Sequence, residues 1–133
     1  MTSKILRHIL VLPAAALASF VSYQTAVFIS GIAVFTSSFL FDSFGGMFDV
    51  LSEILAGWLA ACAFVAIGIM VAPSHHKAYA IFLALFVCVI TWSIGIHYCL
   101  KIHEISYEYL FYSLCTSASA ILNALMYKDY IRK

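Results

Sequence analysis

Histidine and carboxylate side chains gather near the end of the third apolar run, where they could bind a metal ion. His97 precedes Glu104 by seven residues, His103 adjoins Glu104, and Glu108 follows four residues later. If one helix continues past Leu100, His97 and Glu104 lie on the same face of it. Imidazole suits zinc and carboxylate suits calcium. The alternative interpretation is a solvated acidic rim with one interfacial histidine, because no spacing such as H-x-x-x-H is present.

Uncharged polar residues form a second candidate site in the same outward halves of the apolar runs. Buried polar groups need hydrogen-bond partners. They either bond to one another across helices, as is common in membrane bundles, or line a cavity that opens to the outside. The packing interpretation is favoured over the cavity. The residues of this possible outward polar site are Gln24, Thr25, Thr91, His97 and Ser113.

No catalytic motif accompanies these side chains. The sequence has no Ser-His-Asp arrangement, no H-E-x-x-H and no glycine-rich phosphate loop. Haem would need two axial ligands at matching depth, and only His97 lies inside an apolar run. The four cysteines show no C-x-x-C spacing. We therefore expect a non-enzymatic protein without a cofactor, and an enzyme acting on lipid or quinone is a distant alternative.

The elements that position these residues must be membrane helices. The 133 residues are 65% hydrophobic and 10% charged, with a mean hydropathy of +1.04, whereas about a quarter of the residues of an ordinary soluble domain are charged. A soluble fold of this size could not bury so much apolar surface. The formal net charge of +1 and the lack of a basic patch exclude a nucleic-acid partner.

Four apolar runs predict an all-α integral membrane protein with one domain, residues 1–133, built from two helical hairpins. A first helix that continued to Phe41 would be about 50 Å long, against a hydrocarbon core of about 30 Å. We therefore expect it to end near Gly31. Pro73 should end the second helix. The predicted transmembrane helices are residues 9–29, 54–72, 78–100 and 109–127.

The N-terminus and the segment after the first helix each allow two interpretations. Lys4 and Arg7 before an apolar run resemble a secretory signal peptide, but the run continues past Ile29, which favours an uncleaved helix. Residues 32–53 place aromatic side chains opposite acidic ones on a helical wheel, as an amphipathic or re-entrant segment would. An extramembrane loop with its aromatic residues at headgroup depth is equally compatible.

Stripes of small residues predict helix faces that pack closely against a neighbour. Gly, Ala and Ser let two backbones approach each other in a membrane. Such contacts form either within one chain or between chains. The predicted packing residues are Ala56, Ala60, Ala63, Gly57, Ala61 and Gly68 in the second helix, and Ser113, Ser117, Ala120 and Ala124 in the fourth.

The distribution of basic residues predicts the orientation. Six of the seven lysines and arginines lie at the termini or in the 73–77 turn, and only Lys101 lies opposite. Cytoplasmic loops carry the excess of these residues, so both termini should be cytoplasmic in the plasma (inner) membrane.

We expect a small protein that acts through helix-mediated association, as an accessory subunit, an immunity or exclusion factor, or a homo-oligomer. Its expected partners are the lipid bilayer and either a second copy of the chain or another membrane protein. The alternative is a channel or transporter subunit with an outward-facing polar site.

Overall fold

The structure is a computed structural model that describes the backbone of residues 2–40 and 45–131. Within those two ranges the chain is helical apart from short turns and contains no strand, which confirms the all-α prediction. The helices are α1 (Thr2–Leu40), α2 (Gly45–Val71), α3 (His76–Ile102), α4 (Tyr107–Leu125) and the short α5 (Tyr127–Ile131).

Three of these helices are long and apolar enough to cross a membrane. The stretches that meet this condition are Ser3–Ala33, Asp49–Val71 and His76–Ile102. Their length and composition support the prediction of a membrane protein. Helix α4 is not among them, and the number of crossings remains a prediction.

The expected break at Gly31 does not occur, because α1 continues through this residue to Leu40. A glycine inside a helix costs only about 1 kcal/mol relative to alanine, which the flanking hydrogen-bonded turns can tolerate. No neighbouring group lies within 4 Å of the position that a Gly31 Cβ would take, so no packing contact requires a turn there. At 1.5 Å per residue the 39 residues of α1 form a rod of about 58 Å.

The separate amphipathic or re-entrant element predicted for residues 32–53 is also absent from the described ranges. Residues 32–40 belong to α1 and residues 45–53 form the first turns of α2. The described parts of this segment are therefore helical, as extensions of α1 and α2. Residues 41–44, on which part of that prediction rested, lie outside the described residues.

Helix α2 is the centre of the fold and contacts α1, α3, α4 and α5. The buried core joins the N-terminal part of α1 to the C-terminal half of α2 and the N-terminal half of α3. At the edge of this core the His8 ring stacks on Tyr79 and its Nδ1 hydrogen-bonds to the Tyr79 hydroxyl. The largest apolar side chains that are almost fully buried are Val11, Val65, Ile69 and Leu83.

The turn between α2 and α3 contains Pro73. Helix α2 ends at Val71, two residues before the proline, which cannot continue the backbone hydrogen bonding. His75 adopts a left-handed conformation with φ of 54° and ψ of 39°, and this reverses the chain direction before α3. The ring of His76 hydrogen-bonds through Nδ1 to the Ile69 carbonyl at 3.1 Å, which ties the turn to the end of α2.

Helix α4 has its polar face inside and its apolar face outside. The inward face is polar, and its side chains bury five hydroxyl or amide groups. A helix at the surface of a soluble protein has the opposite arrangement. The buried polar residues are Ser113, Thr116, Ser117, Ser119 and Asn123, and the exposed apolar ones include Phe111, Leu114, Ile121, Leu122 and Leu125.

Hydrogen bonds from this polar face join α4 to three other helices. Ser119 Oγ donates to the Trp58 carbonyl of α2 at 2.8 Å, and Trp92 Nε1 of α3 donates to Ser117 Oγ at 3.1 Å. Asn123 Oδ1 accepts from Cys62 Sγ of α2 at 3.2 Å and from the Tyr130 hydroxyl of α5. We call these bonded groups the polar seam.

Tyr130 is the donor that attaches α5 to the polar seam. Burial, together with the nearby Cys62 and Asp129, raises the pKa of the Tyr130 phenol above its ordinary value. A tyrosine phenol is protonated at neutral pH even without this shift, and the Tyr130 hydroxyl donates to Asn123 Oδ1. The same side-chain amide donates through Nδ2 to the Ser119 carbonyl at 2.8 Å.

Candidate functional site

A cavity of about 510 Å³ lies between α1 and the α3–α4 pair, with α2 as its floor. We call it the apolar cleft, because most of its lining is hydrocarbon. This volume falls in the range of cavities that hold small organic ligands. Four helices contribute to it: Ala16, Ser19, Phe20 and Tyr23 from α1; Gly57, Ala60, Ala61 and Phe64 from α2; Phe86, Val87, Ile90, Thr91, Ile94 and Gly95 from α3; and Tyr109, Tyr112, Ser113 and Thr116 from α4.

Small residues of α2 create the floor of the apolar cleft. Gly57, Ala60 and Ala61 present no side chain larger than a methyl group, so the space above them is left open. One wall is closed by Phe64 and Phe86, whose rings stack with centroids 5.9 Å apart and an interplanar angle of 6°. Aromatic pairs of this kind are stiff and bulky, and they keep α2 and α3 at a fixed separation beside the cleft.

A second cavity of about 220 Å³ adjoins the apolar cleft and carries negative charge. The two cavities share Tyr23, Tyr109 and Tyr112, which separate the apolar part from the charged part. The carboxylates of Glu53 in α2 and Glu108 in the first turn of α4 line the charged part. We call this second cavity the acidic mouth, and its remaining lining residues are Val50 and Ile54.

Two glycines position the polar groups of the site. A Cβ at Gly57 would lie 2.7 Å from the Tyr112 hydroxyl and 3.0 Å from Thr116 Oγ1, so a larger residue at position 57 would displace the Tyr112 ring from its place across α2. A Cβ at Gly95 would lie 3.0 Å from Ser113 Oγ, so Ser113 also depends on the close approach of α3. Both contacts place α4 side chains at the wall of the apolar cleft.

Ser113 differs from its polar neighbours on α4. The residue is 2% exposed and lines the apolar cleft. Thr116 Oγ1 donates to the Tyr112 carbonyl at 2.9 Å, and Ser117 and Ser119 bond within the polar seam. Among the described residues, no hydrogen-bond partner occurs for Ser113 Oγ. Its hydroxyl is therefore available to a molecule that occupies the cleft.

The outward polar site expected from the sequence is only partly assembled. Thr91 and Ser113 line the apolar cleft, although Thr91 Oγ1 also donates to the Val87 carbonyl of its own helix at 2.7 Å. Gln24, Thr25 and His97 are exposed and do not line it. Thr25 Oγ1 instead donates to a carbonyl of its own helix at 2.8 Å.

The structure does not assemble the metal site considered for His97, His103, Glu104 and Glu108. Among the described residues, no group of three or more histidine, cysteine, aspartate or glutamate side chains could hold a metal ion. Helix α3 ends at Ile102, and His103 adopts a left-handed conformation with φ of 55°. The chain reverses there, so the single helix that would have aligned His97 with Glu104 does not exist.

The small-residue stripes lie mainly inside the molecule. In α2, Ala56, Gly57, Ala61 and Gly68 are buried, while Ala60 and Ala63 are half-buried. In α4, the buried members are Ser113, Ser117 and Ala120, and Ala124 is half-buried. Most of each stripe is therefore covered within the chain, and Ala60, Ala63 and Ala124 remain partly accessible.

Sequence reasoning missed the tyrosines as members of a ligand site. Tyr109 and Tyr112 follow Glu108 at one and four residues, a spacing that places all three near one face of α4. Glu108 was interpreted as a candidate metal ligand or as part of a solvated acidic rim, and the two tyrosines were given no role. No pattern in the sequence joins Tyr23 to this group, because Tyr23 belongs to α1.

Comparison with models of protein families, with curated proteins and with solved structures finds no match to this chain. The function is therefore inferred from the residues and their geometry.

Proposed function

We propose that the chain is a non-enzymatic integral membrane protein that binds an amphipathic molecule in the apolar cleft, as the ligand-binding subunit of a transporter or channel. The observation that supports this is the cavity of about 510 Å³, which has a mainly apolar lining and shares three tyrosines with the smaller acidic mouth. An elongated molecule with a hydrocarbon tail and a polar head has the same distribution of polarity. Ser113 Oγ offers a polar contact within the cleft.

In this proposal the chain crosses the plasma membrane four times, and α4 is the fourth crossing. Its 19 residues give a length of about 28 Å, close to the hydrocarbon thickness. The polar residues that lower its hydropathy are buried against α2, α3 and α5, and the face directed outward is apolar. The positive-inside rule then places both termini in the cytoplasm and the acidic mouth outside.

The orientation is tested by labelling single cysteines in a variant that lacks the four native ones. We expect cysteines at Ser74 and Ser3 to react with an impermeant thiol reagent only after the cells are permeabilised. A cysteine at Glu104, in the turn between α3 and α4, should react in intact cells. The same cysteines in permeabilised cells provide the control for accessibility. Labelling of Ser74→Cys in sealed cells contradicts the proposed threading.

The ligand-binding role is tested by filling the apolar cleft. Ala60→Phe places a ring in the cleft, whereas Leu59→Phe makes a similar change at an exposed position of α2 that does not line it. The probe is a photoactivatable 14-carbon alkyl maltoside, and cross-linked peptides are mapped by mass spectrometry in neutral detergent. We expect labelling of cleft peptides in the wild type and in Leu59→Phe, and at least about tenfold less in Ala60→Phe, since a bound tail would lose its site.

Two outcomes contradict this role. One is equal labelling of cleft peptides in Ala60→Phe and in the wild type, when circular dichroism shows that both proteins are folded. The other is labelling spread evenly over all lipid-facing surfaces, as simple partition into the micelle would produce.

The surface of α1 favours a second candidate function, helix-mediated association with a second copy of the chain. Only 11% of the most apolar stretch of α1 is buried, against 39% of the corresponding stretch of α2. Among the described helices, α2 is the one whose backbone lies close to that of α1. Leu17 and Phe28 are among its most exposed side chains. Native mass spectrometry from a mild detergent tests this candidate. A dimer that persists on dilution supports it, and a monomer at all concentrations contradicts it.

A further inference from the structure

From the geometry of the acidic mouth we propose that the head of the bound molecule is an organic ammonium cation carrying an apolar tail and no phosphate. This inference deepens the proposed function and rests on it, because the tail must occupy the apolar cleft. The proposal joins three observations: two carboxylates, three tyrosines and the adjoining apolar cleft.

The charges of the acidic mouth favour a cation. Glu53 and Glu108 come from different helices, and both carboxylates line the same cavity of about 220 Å³. Among the described residues, that lining contains no lysine and no arginine. Both residues are exposed, and a cation bound in this cavity would be attracted to both carboxylates. A phosphate group carried by the ligand would instead face both carboxylates.

The tyrosines favour an organic cation over a metal ion. Tyr23, Tyr109 and Tyr112 line the acidic mouth beside the carboxylates. An aromatic ring attracts a cation placed over its face, and tyrosine-lined cavities are suited to alkylammonium groups, whose charge is spread over methyl and methylene hydrogens. Tyr98 stacks on Tyr109 with ring centroids 4.1 Å apart, and this contact holds the Tyr109 ring in place from outside the cavity.

The apolar cleft and Ser113 explain why the ligand should be elongated. The three tyrosines belong to both cavities, so a head in the acidic mouth leaves its tail directly against Phe20, Ala60 and Ile94. The residue Ser113 is 2% exposed and lines this cleft, and its Oγ has no hydrogen-bond partner among the described residues. It can bond to a polar atom along the tail. A small cation without a tail would use only the acidic mouth.

The test compares ligands that share one tail and differ in the head. Binding of tetradecyltrimethylammonium, tetradecylphosphocholine, tetradecyl maltoside and tetradecyl sulfate is measured by competition with the photoactivatable alkyl maltoside on the whole protein in neutral detergent. We expect the trimethylammonium compound to compete at least about tenfold better than the maltoside, a difference of about 1.4 kcal/mol. The phosphocholine arm separates a zwitterionic lipid head from a free ammonium compound, and it should compete no better than the maltoside.

Matched variants connect the preference to the proposed groups. Glu53→Gln and Glu108→Gln should each reduce the preference for ammonium by about threefold to tenfold, and added salt should weaken ammonium binding. Glu104→Gln is the control, because this exposed carboxylate lies in the α3–α4 turn and does not line the mouth. Tyr23→Leu should reduce the preference, whereas Tyr23→Phe, which keeps the ring, should retain most of it.

The outcomes separate the two proposals. The ammonium assignment is wrong if all four compounds compete equally. It is also wrong if Glu53→Gln and Glu108→Gln remain folded and leave the preference for ammonium unchanged. In both cases the apolar cleft is still a site for the tail. If no compound competes for the cleft peptides, the proposed function itself is wrong. A phosphocholine preference equal to that for trimethylammonium would also overturn the assignment, because it would show that phosphate is accepted.

Discussion

Gly68→Leu is expected to lower the free energy of unfolding by about 3 kcal/mol, the upper end of the usual cost of overpacking. A Cβ added at Gly68 would overlap Leu83 Cδ1 and would lie 3.3 Å from Cδ2 and 3.4 Å from Cγ. Leu83 is fully buried in the core shared by α2 and α3. Its side chain therefore has no open space to move into, and the helices must separate.

The matched control for this prediction is Gly31→Leu. No neighbouring group lies within 4 Å of the position that a Gly31 Cβ would take, and Gly31 is exposed in the middle of α1. This change should be neutral or should stabilise the protein by up to about 1 kcal/mol, since leucine favours a helix more than glycine does. Both variants are compared with the wild type by chemical or thermal unfolding in the same neutral detergent.

A double-mutant cycle identifies the contact responsible. Leu83→Ala alone should cost about 2–5 kcal/mol, as large-to-small changes in a core do. In the Gly68→Leu background it should cost much less, because the new side chain fills the space that Leu83 has left. Additive costs, or equal effects of leucine at Gly68 and at Gly31, contradict the packing of α2 against α3 described above.

Asn123→Leu is expected to destabilise the protein by about 1–3 kcal/mol. The amide of Asn123 accepts from Cys62 and from Tyr130, and donates to the Ser119 carbonyl. Leucine has a similar size but no polar atoms, so the Tyr130 hydroxyl loses its acceptor and α5 loses a link to α4. The range is wide because hydrogen bonds between membrane helices vary widely and average about 0.6 kcal/mol each.

Two further variants show whether the polar seam acts as a unit. Tyr130→Phe should cost about 1 kcal/mol, and its cost should shrink in the Asn123→Leu background, where the bond is already missing. Thr25→Val is the control, because Thr25 is exposed and its hydroxyl bonds only to the Val21 carbonyl of its own helix. The free energy of unfolding in detergent is measured for Asn123→Leu, Tyr130→Phe, the double variant and Thr25→Val. A stability of Asn123→Leu equal to that of Thr25→Val would mean that the seam contributes little.

Composition and periodicity by themselves determined the class of the protein. A chain that is 65% hydrophobic and 10% charged predicts a membrane protein, and the three long apolar helices support that class. Helices satisfy the backbone hydrogen bonds that lipid cannot. The end of α2 could also be predicted from Pro73, because proline has no N–H to donate. The membrane helices and the turn at residues 72–75 follow from these local rules.

Length alone was a poor guide to where α1 ends. The expectation of a break at Gly31 assumed that a helix matches the bilayer, but α1 continues to Leu40. A helix can project beyond the hydrocarbon core whenever its own hydrogen bonds remain satisfied and no neighbour forces a turn. The sequence could not show that no neighbouring group lies within 4 Å of the position that a Gly31 Cβ would take.

Only the tertiary structure decided which polar residues bond to one another and which line a cavity. Ser117, Ser119 and Asn123 are tied into the polar seam, whereas Ser113, on the same buried face of α4, reaches the apolar cleft. The two uses look alike in a sequence, because both place small polar residues at helical spacing. They differ in which helix lies opposite, and that depends on packing between residues far apart in the chain. For the same reason Glu53, which belongs to another helix, joined Glu108 in one site only when α2 and α4 had packed together.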